Sequence, residues 1–471
     1  MLAVVTALVG AIFALLVAPR AELGPQRSGD EQLIADVEAF VGDNPRGLQS
    51  LSVARVGDGA PVYAGLGDAG NGAPTPETVY ELGSITKVFT GMLLADAVDR
   101  GEMQLDEPIS TYLTELQDTP AGERTPRQLA THTSGMPSML GGLGNIWGAM
   151  LDSDVYGQWD TERLLTAAKD VEPDPVGESS YSNAGVALLG HAVARASGFE
   201  NFGTLLQERL LDPLSMENTS LVIGDAEPTG FALPHLTTGV PATPWTGAGY
   251  APAGSSTRTT AQDMVKFTQA VLDAQAPGMS ALEPALGDNE DRHGLGWAND
   301  DIGGMQLTWH NGGTEGSRTM LAIDREAGKA AIVLGNSAQW VDMLGAGLVV
   351  TGVEYEPEGW NWWAVSLWIV GIVFLAAAWW ETVRRRSGIH LLTACASGII
   401  ALIFTWSSAP WHMLPRPLLG ILPGLAVGAI VASLASLPHV RWWPGKKRVS
   451  AVIELAVCVL LVVVLLVPLV L

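Results

Sequence analysis

Four apolar runs, at residues 363–380, 390–408, 418–437 and 450–471, fill the C-terminal part of the chain. A bilayer core of about 30 Å takes ~20 apolar residues in a helix, and in lipid only a helix satisfies the backbone of such a run from within. Each run is close to that length, so the sequence predicts four transmembrane helices across 363–471. Trp360, Trp362, Trp363, Trp379, Trp380, Trp406, Trp411, Trp442 and Trp443 cluster at the run ends, where indole rings settle at a membrane interface. Arg384, Arg385 and Arg386 follow the first run, and Arg441, Lys446, Lys447 and Arg448 follow the third. Basic loops stay cytoplasmic. Both loops therefore give one orientation, with residues 30–350 and the C-terminus outside: a multi-pass protein of the cell membrane whose polar part is extracytoplasmic.

The run Met1–Val17 is apolar but shorter, and it lacks the basic leading segment of a secretory signal. Residues 1–21 read as a signal peptide or as an uncleaved N-terminal anchor. Either exports the polar part downstream of it.

The polar part is acidic. The chain carries 49 acids and 26 bases, a net charge of −23, and only Glu356, Glu358, Glu381 and Glu454 among the acids lie beyond residue 355. Nucleic acid, which needs a basic face, is excluded as a partner. Cys395 and Cys458 are the only cysteines and both sit in apolar runs. That excludes a disulfide framework, a thiolate zinc site and a cysteine nucleophile from the polar part. The histidines are scattered without ligand spacing, so no metal and no cofactor are expected.

Residues 33–350 are long enough for one large core, with 351–362 as a linker to the membrane region. The alternating segment 48–66, broken at Gly57-Asp58-Gly59, predicts a β-hairpin. Helical patterning predicts helices over 85–100, 160–170, 184–197, 201–211 and 260–274. Strands are expected at 304–310, 317–324 and 330–336. The Gly-rich stretch Thr131–Gly148 reads as a loop over a cleft. An α+β fold is expected, with an antiparallel sheet built from both chain ends and helices packed around it.

Three short patterns carry chemistry, and each occurs once. Ser84-Ile85-Thr86-Lys87 is the only serine followed three residues later by lysine. On a helix that spacing puts hydroxyl and amine on one face, and a desolvated, neutral lysine can activate the hydroxyl. Tyr181-Ser182-Asn183 is the only Tyr-x-Asn. A phenol beside the lysine can relay a proton, and an asparagine amide can hold a substrate carbonyl. Alone, the same tripeptide reads as a turn tyrosine before a helix that Asn183 caps. His310-Asn311-Gly312, the only His-x-Gly, leads into Gly313, and glycines on a strand edge let backbone N–H groups approach a substrate.

With these motifs in this order, the chain resembles the serine β-lactamase and penicillin-binding protein superfamily, closest to its class C β-lactamase-like branch. The resemblance covers residues 33–345. It rests on Glu81-Leu82-Gly83-Ser84-Ile85-Thr86-Lys87, on Leu129-Ala130-Thr131-His132-Thr133-Ser134-Gly135-Met136-Pro137 and on Tyr181-Ser182-Asn183-Ala184-Gly185. It continues through Pro213-Leu214-Ser215-Met216-Glu217-Asn218-Thr219, Thr260-Ala261-Gln262-Asp263-Met264 and His310-Asn311-Gly312-Gly313-Thr314-Glu315-Gly316. The resemblance implies a β-lactamase/transpeptidase-like α+β fold with an all-helical subdomain beside the sheet. It implies Ser84 as the nucleophile of an acyl-enzyme, Lys87 as its activating partner and Tyr181 as acid/base. Asn183, His310 and Gly312 would contact substrate, with the N–H groups of Ser84 and Gly313 as oxyanion hole. Many members have Lys-Thr-Gly where this chain has His310-Asn311-Gly312, and that lysine helps bind a substrate carboxylate. A histidine is not reliably cationic at neutral pH, so a hydrolase of peptides, amides or esters is expected ahead of a true β-lactamase, with cell-wall D-alanyl peptides as one candidate substrate.

Two other readings remain open at this level. One is a membrane receptor whose penicillin-binding-like domain binds a ligand without turnover, although no His-Glu-x-x-His protease motif is present to carry a signal. The other gives the membrane part work of its own, since Glu454 lies inside an apolar run.

Overall fold

The structure, a computed structural model, describes all residues except 20–21, 43–45, 142–153, 225, 287–292, 303, 355–361, 385–386, 412, 444–447 and 467–471. It divides into two compact units, Glu22–Thr237 with Pro241–Pro357, and Met1–Ala21 with Thr238–Val240 and Glu358–Leu471.

The larger unit is built on an antiparallel sheet of seven strands. In chain order these are β1 (Arg27–Gly29), β2 (Ser50–Val56), β3 (Val62–Gly67), then, after three strands of a smaller sheet, β7 (Ala298–Ile302), β8 (Met305–Gly313), β9 (Arg318–Asp324) and β10 (Lys329–Gly335). Their spatial order is β1-β3-β2-β10-β9-β8-β7. Strand β2 from the N-terminal side pairs with β10 from the C-terminal side, Val53 opposite Val333, so the sheet does join both chain ends. The smaller sheet has β4 (Val79–Glu81), β5 (Ser220–Leu221) and β6 (Thr257–Thr260) in the order β4-β6-β5.

Side chains alternate across each strand, and both faces of the large sheet are covered. Val53, Met320, Ala322 and Val333 pack with Leu33 and Val37 of helix Glu31–Val41. Ala54, Leu321, Ile323, Ile332 and Leu334 face the main core, which includes Val88, Phe89, Met264 and Phe267. Helix Thr86–Asp99 is buried continuously from Thr86 to Ala97, as expected of a helix enclosed on all sides. Helix Asn183–Ala196 packs against it and belongs to a helical layer with Pro126–Ala130, Thr161–Ala168 and Phe202–Leu206. Phe202–Leu206 runs on into a wide π-turn over Gln207–Leu211.

The structure departs from the sequence reading in several places. The segment 22–32, for which no element was predicted, contains β1, which pairs with β3 through Arg27 and Leu66. It also holds the start of helix Glu31–Val41, capped by Asp30 through the Leu33 N–H. Helix Glu31–Val41 buries Leu33, Val37 and Val41 along one stripe, so the compact unit begins upstream of residue 33. The expected strand 304–310 extends through Gly313 as β8. Of the expected loop 131–148, residues 142–148 lie outside the described residues, as do residues 355–361 of the expected linker.

In the membrane unit, three helices among the described residues are long and apolar enough to cross a bilayer: Trp362–Arg384, Gly388–Ser407 and Arg416–His439. Four were expected. The last run also forms a helix, Arg448–Leu466, of which only Val449–Val463 counts as a shorter apolar helix among the described residues, and residues 467–471 are outside the described set.

The N-terminal helix Leu2–Val17 packs on helix Arg416–Ser436 within this unit. Small residues make the contact. A Cβ on Gly10 would fall 2.5 Å from the Gly420 carbonyl oxygen, and one on Gly428 would fall 2.4 Å from Thr6 Oγ1. Where lipid offers no hydrophobic gain from helix association, such close backbone approach is what holds helices together. A Cys-free protein carrying Thr6→Cys and Gly428→Cys is therefore expected to form an intramolecular disulfide in isolated membranes. Adding Gly424→Leu, whose side chain would enter the Thr6 carbonyl, is expected to abolish that crosslink.

Candidate active site

Ser84 lies in a short 3-10 turn, Gly83–Ile85, that leads directly into helix Thr86–Asp99. The chain turns there because Gly83 takes φ +62°, a left-handed conformation open to glycine. A side chain at Gly83 would also fall 2.7 Å from the Gly313 nitrogen. Close packing of the turn against β8 thus requires glycine on the turn and, on the strand, at Gly312, where a Cβ would meet the Leu82 carbonyl oxygen at 2.2 Å.

Lys87 is buried in the first turn of the helix, 1% exposed. Its Nζ lies 2.9 Å from Ser84 Oγ and donates to the Ala253 carbonyl at 2.7 Å. Burial pushes the amine well below the ordinary lysine value, and among the described residues no acidic group contributes to its titration. A neutral amine with one N–H on Ala253 keeps its lone pair for the Ser84 hydroxyl proton.

Tyr181 precedes helix Asn183–Ala196, its ring centroid 4.9 Å from Lys87 Nζ. The ring is 47% exposed, yet the protein packed around the phenol pushes it up to about 12, against the pull of a hydrogen bond with Ser84. The phenol is therefore protonated at neutral pH. On the ring's other side stands His132, 4.4 Å between centroids, whose Nδ1 accepts the Ser182 N–H at 3.2 Å. His132 holds φ +58°, a costly conformation for a non-glycine residue that tends to mark functional sites. Burial, then the nearby Lys87, lowers its imidazole to about 3.

The helix after Tyr181 is capped by Ser182, whose Oγ accepts the Gly185 N–H at 2.8 Å. The expected cap at Asn183 is therefore displaced by one residue, and Asn183 is left to point its amide into the cavity. Its Nδ2 donates to Tyr156 Oη at 3.0 Å.

Ser84, Tyr181, Asn183 and Gly313 line one cavity of about 240 Å³, walled by Tyr156, Trp245, Tyr250 and Trp340. Strand β7 pairs with β8 no further than Trp309, so the outer edge of His310–Gly313 borders the cavities. His310 itself is not in the Ser84 cavity. It lines a neighbouring one of about 270 Å³ with His132, His293 and Trp297, and Tyr181 and Asn311 border both. Burial lowers His310 to about 4, although its Nδ1–H···O contact with the Asn311 carbonyl opposes this. At neutral pH it carries no charge.

The structure thus places Lys87, Tyr181, Asn183 and Gly313 around Ser84, packs Gly312 on the Leu82 carbonyl beside the turn, and sets His310 one cavity away. Sequence reasoning missed Tyr156, Trp245, Asn311 and the tilted ring contact of His132 with Tyr181. Among the described residues no group of three His, Cys, Asp or Glu side chains is placed to hold a metal.

The beta-lactamase family pattern matches residues 33–350. The chain belongs to the beta-lactamase family. Its fold is that of a class C beta-lactamase from Rhodobacter sphaeroides, with a TM-score of 0.54, 21% identity, and coverage of 65% of this chain and 94% of that one. It is 28% identical over 272 residues to a beta-lactamase of Yersinia enterocolitica, covering 54% of this chain and 65% of the relative. It is 30% identical over 158 residues to the D-alanyl-D-alanine-carboxypeptidase/endopeptidase AmpH of Escherichia coli K12, covering 32% of this chain and 38% of the relative. The chain spans less than two thirds of the length of these curated relatives.

The close approach of the Ser84 turn to β8 generates a stability prediction. Gly312→Ala forces a methyl into the Leu82 carbonyl and Thr319 Oγ1 and is expected to cost about 1–3 kcal/mol, read as a lowered thermal midpoint. Gly57→Ala, whose Cβ would meet only the Lys329 side chain at 3.6 Å, is expected to leave the midpoint unchanged.

Proposed function

We propose that this protein is a membrane-tethered serine hydrolase that works outside the cytoplasmic membrane through an acyl-enzyme. The observation that carries the reading is the buried, acid-free Lys87 amine 2.9 Å from Ser84 Oγ. Lys87 takes the hydroxyl proton as Ser84 attacks the substrate carbonyl. The N–H groups of Ser84 and Gly313 stabilise the oxyanion, and the short turn before a helix adds a favourable dipole. Tyr181, protonated and hydrogen-bonded to Ser84, delivers a proton to the leaving group. Asn183 holds the substrate amide. Water then attacks the acyl-enzyme with the same lysine–tyrosine pair assisting.

Peptides, amides or esters fit the site as substrates. The similarity to AmpH supports D-alanyl peptides of the cell wall, and the neutral His310 speaks against strong β-lactam recognition, which draws on a cation at this motif. The three long apolar helices, with the packed N-terminal helix as a retained anchor, support a membrane tether. The basic segments after the first and third runs support an outward-facing domain.

The experiment is turnover of p-nitrophenyl acetate by the detergent-solubilised full chain across pH. Because Lys87 acts deprotonated and its amine is held well below the ordinary value, the rate is expected to level off well below the ordinary lysine range and to fall as pH drops through the lowered value. Lys87→Arg, always charged, is expected to lose about 100-fold or more in kcat. A rate still climbing beyond pH 9 contradicts the neutral-lysine mechanism. Stoichiometric acylation without turnover would point instead to a receptor.

A further inference from the structure

Glu81 is a buried carboxylate that the proposed chemistry leaves unused, 1% exposed. It ends β4, three residues before Ser84. Its Oε2 accepts from Thr314 Oγ1 at 2.5 Å and from Ser317 Oγ at 3.1 Å. Its Oε1 accepts the Trp245 N–H at 2.8 Å and lies 3.4 Å from Arg258 Nη1. Burial, the largest influence, raises the carboxyl above its ordinary value, and the Arg258 charge and three hydrogen bonds pull it back toward the ionised form.

The partners come from three separate parts of the chain, and two of those parts supply walls of the Ser84 cavity. Thr314 directly follows Gly313. Ser317 closes the turn between β8 and β9, its N–H donating to Thr314 Oγ1 at 3.1 Å and its carbonyl accepting the Thr314 N–H at 3.1 Å. Trp245 walls the cavity and packs edge-on against Tyr156, ring centroids 4.9 Å apart. Arg258 on β6 completes the grip on Trp245. Its Nη2 donates to the Trp245 carbonyl at 3.0 Å, while Nε and Nη2 hold Glu227 at 2.8 and 2.6 Å.

Stability alone does not call for this charge, because a buried ion pair is often no better than apolar residues of equal volume. What the carboxylate supplies is direction: four donors converge on one group rigidly tied to the strand that leads into Ser84. We infer that Glu81 is a positioning residue that fixes the Gly313–Thr314 segment, and with it the Gly313 N–H, against Ser84. Oxyanion donors act only within a narrow distance of the developing charge, so a small slip of this segment slows acylation without weakening ground-state binding.

This inference rests on the reading of Ser84 as nucleophile, and the test separates the two. The full chain in detergent is reacted with a fluorophosphonate and, separately, with p-nitrophenyl acetate. Absence of any Ser84 adduct in the unmutated protein overturns the acyl-enzyme reading and the inference with it. With labelling established, Glu81→Gln is expected to slow acylation and kcat about 10–100-fold with KM nearly unchanged. Thr314→Val is expected to slow them about 3–10-fold, and the double variant to be no slower than Glu81→Gln alone, the non-additivity of residues acting as one unit. Asp263→Asn is the control. Asp263 is equally buried but holds the Asn218 N–H and Thr219 away from the cavity, so this variant is expected to lower the thermal midpoint and leave kcat unchanged. A folded Glu81→Gln protein with unaltered kcat overturns the inference, as does full additivity with Thr314→Val. If Glu81→Gln does not fold, Thr314→Val and Ser317→Ala decide, and unaltered kcat in both overturns it.

Discussion

The hydrogen bond between Lys87 and Ser84 joins two groups that water would keep apart in function, an ammonium and an inert alcohol. Removing the amine from water without giving it a carboxylate makes the charged form expensive. Helix Thr86–Asp99 does this by position, since it is buried from Thr86 to Ala97 between the large sheet and the helical layer. The apolar core that folds the unit is therefore the same core that sets the basicity of Lys87. Tyr181 is affected in the opposite chemical sense, its phenol held protonated by its surroundings. The site thus sets a buried amine of lowered basicity beside a phenol raised still further above neutral pH.

Around that pair the backbone comes closer than side chains allow. Gly83 meets Gly313, Gly312 meets Leu82, and a Cβ on Gly254 would fall 2.1 Å from the Gly83 carbonyl oxygen. Strand β8 outruns β7, leaving its edge to the cavities. Glu81 and Arg258 brace the same segments from beneath. The smaller unit uses the same device of close backbone approach, through Gly10, Gly420 and Gly424.

Much of this was legible because it is local. Ser84 and Lys87 are one turn apart, and the helices and strands that bear the motifs carry clear periodicity. The anchors of long-range geometry were not legible. Tyr156 and Trp245 lie in irregular chain with no period to mark them, and they reach the site only through tertiary packing. Asn183 looked like a cap because Ser182 and Asn183 are equally good cap residues; the hydrogen bond to Gly185 decided for Ser182. His310 stood out as a rare motif, but which cavity it lines depends on where β7 stops pairing. The last apolar run has the composition of a span, but its end, residues 467–471, lies outside the described residues.

The central claim is that Ser84 is a hydroxyl activated by a neutral lysine, and the most direct measurement is the mass of the protein after brief exposure to a fluorophosphonate, followed by peptide mapping. The account predicts a single stoichiometric adduct on Ser84 at neutral pH, absent after Ser84→Ala. An adduct on another residue, or equal labelling of the Ser84→Ala protein, would contradict it.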